Sequence, residues 1–257
     1  MLDFLFTYYS LRSHKLERWQ PGPGVALRGA DELLGLPGHV RDGDTVRLDP
    51  AALPPRVART AGFVRALLSA TAARPPRLNC FGLHEWAMVY RTDEPRHGGV
   101  PLRLGTAGTD AVLESLPVVC THHDAFRFFT SAARPRNAVA LTRADQVEFE
   151  QPGCLHAAMD LYKWAYKLDT AVPAELVGDC FALAADVREL DMRASPYDLA
   201  DLGYPPVRIE TPAGRAEYAR TQAGFARRAA PLRDRLADLC DAILAPGSTS
   251  TPVEVAR

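Results

Sequence analysis

Large apolar side chains and isolated polar ones are interleaved most densely between Cys154 and Leu168, in the string CLHAAMDLYKWAYKL. Leu155, Met159, Tyr162 and Tyr166 recur at helical spacing, with Leu161, Trp164 and Leu168 on the flanks. Such a run predicts a buried helix rather than a surface one. Pro152-Gly153 stops the preceding element and lets this one begin. His156, Asp160, Lys163 and Lys167 fall three or four residues apart and therefore share one face. Burying them among aromatics is costly unless each finds a partner. The helix thus either carries a site or ties together a polar network.

The same pattern predicts the other elements. Gly24–Gly29 and Val40–Leu48, the latter broken at Asp42-Gly43, read as a small antiparallel patch over 24–49. Val57, Ala61, Val64, Leu67 and Leu68 predict an amphipathic helix over 54–73 that ends before Pro75-Pro76. A short helix fits Leu83–Arg91. Residues 92–109 read as loop with one short strand at Val100–Leu104, and Asp110–Leu116 as one or two helical turns. A helix is expected over Thr121–Thr130 with Thr121 as N-cap. Another follows the Thr142–Asp145 capping box and runs through Glu150. Pro173 opens a long helix to about Arg193, broken at Ser195-Pro196. Residues 195–211 read as irregular, ending in a strand, and a last helix runs from Pro212 to about Leu244. The expected fold is mainly α: one helical domain, 1–257, with the small N-terminal β patch and a disordered tail over 246–257. Phe4–Tyr9 is core-like, so the N-terminus is expected either to be truncated or to dock directly onto the body.

Composition narrows the class. The chain is 47% hydrophobic and 24% charged, with 30 Lys plus Arg against 31 Asp plus Glu, for a net charge of −1. That is the balance of an ordinary globular protein with a sizeable core. No apolar run approaches the ~20 residues of a membrane span. The first residues lack the basic region and cleavage site of a signal peptide. Five cysteines, an odd count, then point to reduced thiols in a cytoplasmic protein.

Three segments share one pattern: Cys80-Phe-Gly-Leu-His84-Glu85, Cys120-Thr-His122-His123-Asp124 and Cys154-Leu-His156. Each sets a Cys before a His near a predicted helix start, where partial positive charge lowers thiol and carboxylate pKa values. If the three converge, they make a polar pocket walled by Trp86, Tyr90, Phe126, Phe128, Phe129, Tyr162 and Trp164. Taken singly, each Cys or His is more often structural, but four of the seven histidines sit in these segments. Zinc is a candidate occupant, although no spacing matches a known zinc motif. Haem or iron on a histidine leaves almost no mark in sequence, and a Cys–His nucleophilic pair fits no local signature. The stretch Asp191–Asp201 is dense in charge and reads either as a solvated break or as a flap with Arg193 and Asp198 paired. His97-Gly98-Gly99 and Gly105–Thr109 read as plain Gly-bearing turns. Arg127, Arg134, Arg136 and Arg143 form the one basic concentration, suited to a nucleic-acid backbone or an acidic ligand.

The strings CFGLHEWAMVYR (80–91), HDAFRFFT (123–130), EQPGCLHAAMDLYKWAYKL (150–168) and LDMRASPYDLADLGYPPVRIET (190–211) resemble an actinobacterial family labelled "3-methyladenine DNA glycosylase", over nearly the whole chain. The resemblance implies hydrolysis of the N-glycosidic bond of an alkylated purine, with no cofactor. Such an enzyme needs a carboxylate and an aromatic pocket for the extruded base. Glu85, Asp124 and Asp160 are the candidate carboxylates, with His84, His122 and His156 as polar pocket groups. Trp86, Tyr90, Arg127, Phe128, Tyr162, Lys163 and Trp164 are the candidate substrate contacts. The alternative is a haem- or iron-dependent oxidoreductase with His84, His122 and His156 as ligands, acting on a small aromatic or heterocyclic substrate. A third reading is a non-enzymatic ligand-binding protein whose polar groups form a satisfied core network.

Overall fold

The computed structural model describes residues 2–9, 11–93, 99–245 and 253–254. In chain order the elements are α1 (Leu2–Tyr9), β1 (Val25–Arg28), β2 (His39–Asp42), β3 (Thr45–Leu48), α2 (Pro55–Ala72), α3 (Leu83–Ala87), α4 (Gly105–Ser115), α5 (His123–Phe126), α6 (Gln146–Phe149), α7 (Leu155–Lys167), α8 (Ala174–Ala194), α9 (Pro212–Leu244) and β4 (Val253–Glu254). The protein is mainly α with a small β patch, as the periodicity predicts. No helix among the described residues is long and apolar enough to cross a membrane. The chain divides into two compact units: Met1–Ser69 with Asp160–Ala184 and Ala230–Arg257, and Ala70–Met159 with Ala185–Ala229.

The first unit holds the sheet, in strand order β2-β3-β1-β4. β2 and β3 form the expected hairpin, with Asp42 opposite Thr45 and Gly43 at φ 60 in the turn. The buried faces of β1 and β3 contribute Leu27 and Val46 to a cluster with Ala30 and Leu33. Val253–Glu254, the described part of the tail expected to be disordered, pair parallel to β1. The rest of 246–257 lies outside the described residues, as do Glu94–Gly98, where the turn at His97-Gly98 was expected. Elsewhere in this unit Phe6 stacks on Phe181 at 5.6 Å, and Phe181 meets Tyr162 edge-on at 5.2 Å.

The second unit carries the short helices. Trp86 is fully buried, and its Nε1 donates to the Ala194 carbonyl at 2.9 Å, which fixes α3 against the end of α8. Four expectations are corrected here. No strand forms at Val100–Leu104; Leu102 makes one antiparallel bridge to Tyr197. Gly105–Thr109 is not a turn but the start of α4, with Thr109 buried and its hydroxyl donating to the Gly105 carbonyl at 2.7 Å. The helix expected over Thr121–Thr130 shrinks to the single turn of α5, begun at His122 and not at Thr121. Asn137 explains the shortening, since its side chain takes both the Cys120 amide (2.8 Å) and carbonyl (3.0 Å) and holds that segment extended. Residues 203–211 run into α9 without the expected strand. The Thr142–Asp145 capping box is present.

Candidate functional site

Three separate local devices bring the Cys–His stretches of the second unit to one place. Ahead of α3, Phe81 (φ 47) and Gly82 (φ 70) are both left-handed, a conformation a bulky residue adopts at a cost. That double twist turns the chain sharply enough to bury His84 one turn after Cys80. Ahead of α5, the Asn137 clamp positions Cys120 and His122. Ahead of α7, Gln151 Oε1 accepts from the Gly153 and Arg77 amides at 2.7 and 2.8 Å. A Cβ on Gly153 would lie 2.6 Å from the Arg77 carbonyl oxygen, so only glycine fits this approach. Gln222, from α9, seals the junction by donating to the Gly153 carbonyl at 2.6 Å and to Cys80 Sγ at 3.2 Å.

The result is a hollow of about 20 Å³ whose wall includes Cys80, His84, Cys120, Cys154, His156 and Tyr218. That volume admits one or two waters. The convergence expected from the repeated Cys–His pattern is therefore realised. Around it three imidazoles pack ring to ring: His84 meets His156 edge-on at 4.4 Å, and His156 stacks on His122 at 5.1 Å. His122 Nε2 lies 3.5 Å from Glu150 Oε2, which also accepts from Gln146 Nε2 at 3.1 Å.

Behind His84 lies a buried charge network. His84 Nε2 is 2.9 Å from Asp191 Oδ1. Arg188 Nη1 donates to Asp191 Oδ2 at 2.8 Å and to Glu85 Oε1 at 3.1 Å. Burial pulls the His84 imidazole down, but the charges of Asp191 and Glu85 outweigh it and hold His84 above its ordinary value. Burial likewise opposes the Asp191 carboxylate, yet His84 and Arg188 hold it well below the usual range. The thiols do the opposite of what helix starts alone would give. Burial pushes Cys80 and Cys154 up and Cys120 up to about 12, so at neutral pH they are uncharged wall groups and not nucleophiles. All five cysteines are unbridged.

The remaining sequence candidates do not line the hollow. Asp124 is partly buried, 3.4 Å from His123 Nδ1 and 3.8 Å from Arg127. Asp160 belongs to the first unit, where Tyr9 donates to it at 2.7 Å and Lys163 pairs with it. Tyr162 is in the core of that unit, and the Trp164 ring has Lys163 and Lys167 over it at 4.4 and 5.3 Å. In the second unit the Tyr90 hydroxyl donates to Glu114 at 2.7 Å, and Arg127 covers Phe128 at 4.5 Å. None of the seven aromatics expected as pocket walls lines the hollow; Tyr218 does. Arg193 and Asp198, paired in one of the two readings of that stretch, do not pair. Arg193 lies 3.5 Å from Glu189, and Asp198 accepts from the Ala200 amide.

Asp191, Arg188 and Glu150 are the partners that sequence reasoning missed. Their signal was present but quiet: Asp191 sits on the stripe of Val187 and Ala194, both fully buried, and a carboxylate there needs a cation, which Arg188 supplies one turn earlier. Compared with protein-family models, with curated proteins and with solved structures, the chain finds no match in any of the three.

Proposed function

We propose that the chain is a hydrolase whose water-activating centre is the hollow of the second unit. One observation carries this: a space of water size is walled by His84 and His156, and His84 is backed by a buried carboxylate 2.9 Å away. An imidazole held cationic to higher pH by Asp191 is suited to protonate a leaving group or to face developing negative charge. Glu85 is the least buried carboxylate of the network, at 12% side-chain exposure. It is the candidate to orient water or to face a cationic sugar.

The resemblance supplies the bond class: the N-glycosidic bond of an alkylated purine in DNA. Arg127, Arg134, Arg136 and Arg143 are all exposed and offer phosphate contacts. This reading requires the hollow to widen on binding, because about 20 Å³ admits water and not a purine. The test is base release from alkylated duplex DNA, with protein in excess. Release is expected from the native chain and lost by at least ~100-fold in Glu85→Gln, with binding that weakens steeply as salt rises. No release, with binding indifferent to salt, removes the proposal. A second reading, an iron-dependent oxidoreductase, is favoured by the grouping of His84, His156 and Asp191. A hollow of this size has no room for haem, so that reading needs the ion alone.

A further inference from the structure

His84 Nε2 and Asp191 Oδ1 approach to 2.9 Å, yet neither atom has an aligned hydrogen-bond partner among the described residues. A plain imidazole–carboxylate pair buried at 6% and 1% exposure would be expected to align, since an unsatisfied buried polar atom costs ~1–3 kcal/mol. The two atoms share a third neighbour. One ligand atom each from His84, His156 and Asp191 lies within 4.8 Å of the other two, and all three residues are buried. Three donor atoms of buried residues are thus gathered in one small space.

We propose that His84, His156 and Asp191 bind one divalent first-row transition ion, of the zinc or iron(II) class. Two imidazoles and one carboxylate are the donor set such ions take when coordination positions are left open. Bonds of ~2.0–2.2 Å to a shared ion place ligand atoms about 3–4 Å apart, so the observed triangle closes on an ion with small side-chain shifts. The open positions face the hollow, because His84 and His156 both line it.

The surrounding groups fit the same assignment. Arg188 occupies Asp191 Oδ2 and so turns Oδ1 toward the imidazoles, the task of an outer partner at a metal centre. Charge also fits. With His84 and His156 neutral, as ligating imidazoles are, Asp191 and Glu85 against Arg188 leave one negative charge; a divalent ion with one bound hydroxide brings the cluster to neutrality. His122, a ligand on sequence grounds, is not in this triangle: it stacks on His156 and lies against Glu150. Tyr218, Cys80, Cys120 and Cys154 complete the wall of the hollow.

The experiment uses the full chain, stripped with a chelator and then loaded separately with Zn²⁺, with Fe²⁺ without oxygen, and with Co²⁺. Elemental analysis after desalting is expected to give one ion per chain for each. Co²⁺ loading is expected to give a visible ligand-field absorption band, a readout independent of activity. His156→Ala is expected to weaken Zn²⁺ binding at least ~100-fold, while His14→Ala, an exposed imidazole of the first unit, leaves it unchanged. Should His156→Ala not fold, the Co²⁺ band and stoichiometry of the native chain decide. A folded native chain that retains none of the three ions overturns the assignment, as does equal retention by folded His156→Ala. One bound ion without base release would sink the glycosidic reading and leave this one standing. Base release by a chain that retains none of the three ions would do the reverse.

Discussion

Replacing Arg188 with methionine would strand two carboxylates behind His84. The guanidinium makes two charge-assisted bonds, at 2.8 Å to Asp191 and 3.1 Å to Glu85, and is 9% exposed, against 1% for Asp191. Each bond of this kind contributes ~1.5–3 kcal/mol, and removing one partner of a buried pair costs ~3–5 kcal/mol because the other charge is left uncompensated. Glu85 keeps some contact with water, so the lower end applies, about 3–4 kcal/mol at pH 7. For a chain of this length that lowers the melting temperature by about 6–16 °C, at ~2–4 °C per kcal/mol. The pH dependence has a definite sign. In the native chain Asp191 is depressed, so its contribution is present above the ordinary aspartate value and is lost only as pH falls through the lower folded one. In Arg188→Met one of the groups that offset burial is gone, so the Asp191 carboxyl moves up from its native value. The deficit is then full at pH 7 and shrinks toward pH 5 as Asp191 takes up a proton. Urea unfolding followed by circular dichroism at both pH values reads this directly, and adding Glu85→Gln should recover part of the loss. A deficit below ~1 kcal/mol, or one equal at pH 7 and pH 5, would refute the buried-network argument.

Two further outcomes follow from other parts of the structure. With Cys120, Cys180 and Cys240 pushed up to about 12 by burial, and Cys80 and Cys154 also raised, the native chain should react with an aromatic disulfide reagent at pH 8 at least ~100-fold more slowly than the urea-unfolded chain. One thiol titrating within seconds in the folded protein would contradict this. Arg103 binds Glu210 through two bonds at 2.6 and 3.1 Å. Burial opposes the Glu210 charge, but Arg103 holds its carboxyl below the ordinary range. The pair should therefore contribute about 1–2 kcal/mol above the ordinary glutamate value near ~4.3, and lose it as pH falls through the lower folded one. A double-mutant cycle of Arg103→Gln and Glu210→Gln, run at pH 7 and pH 3, measures it; coupling of equal size at both would sink the claim.

What could be read in advance divides along a physical line. The long helices were legible because their signal is local: Val57, Ala61, Val64 and Leu68 mark α2, and Pro152-Gly153 marks the start of α7 whatever they pack against. The convergence of the Cys–His stretches was legible for another reason, since three copies of an expensive pattern are hard to bury separately. The short elements were not, because distant groups decide them. Gly105–Thr109 has the composition of a turn, yet forms helix where Thr109 is buried. Thr121–Thr130 has helical composition, yet the chain is claimed at one end by Asn137 and at the other by Ala87 and Tyr90, whose carbonyls take the Thr130 amide and hydroxyl at 3.2 and 2.9 Å.

The same division explains why Asp191 was not among the carboxylates the sequence brought forward. Asp124 and Asp160 lie close in sequence to the histidines, but proximity along a helix places a side chain on a face and says nothing of what that face meets. Asp124 meets Arg127 and solvent; Asp160 meets Tyr9 and Lys163. Asp191 is 35 residues beyond His156, and what selects it is the cost of its own burial. A carboxylate on an apolar stripe requires compensation, and the compensation here is split, Arg188 on one oxygen and His84 beside the other. That split leaves one oxygen directed at two imidazoles, and the chemistry proposed for this chain rests on that arrangement more than on any one of the residues the histidine pattern first brought forward.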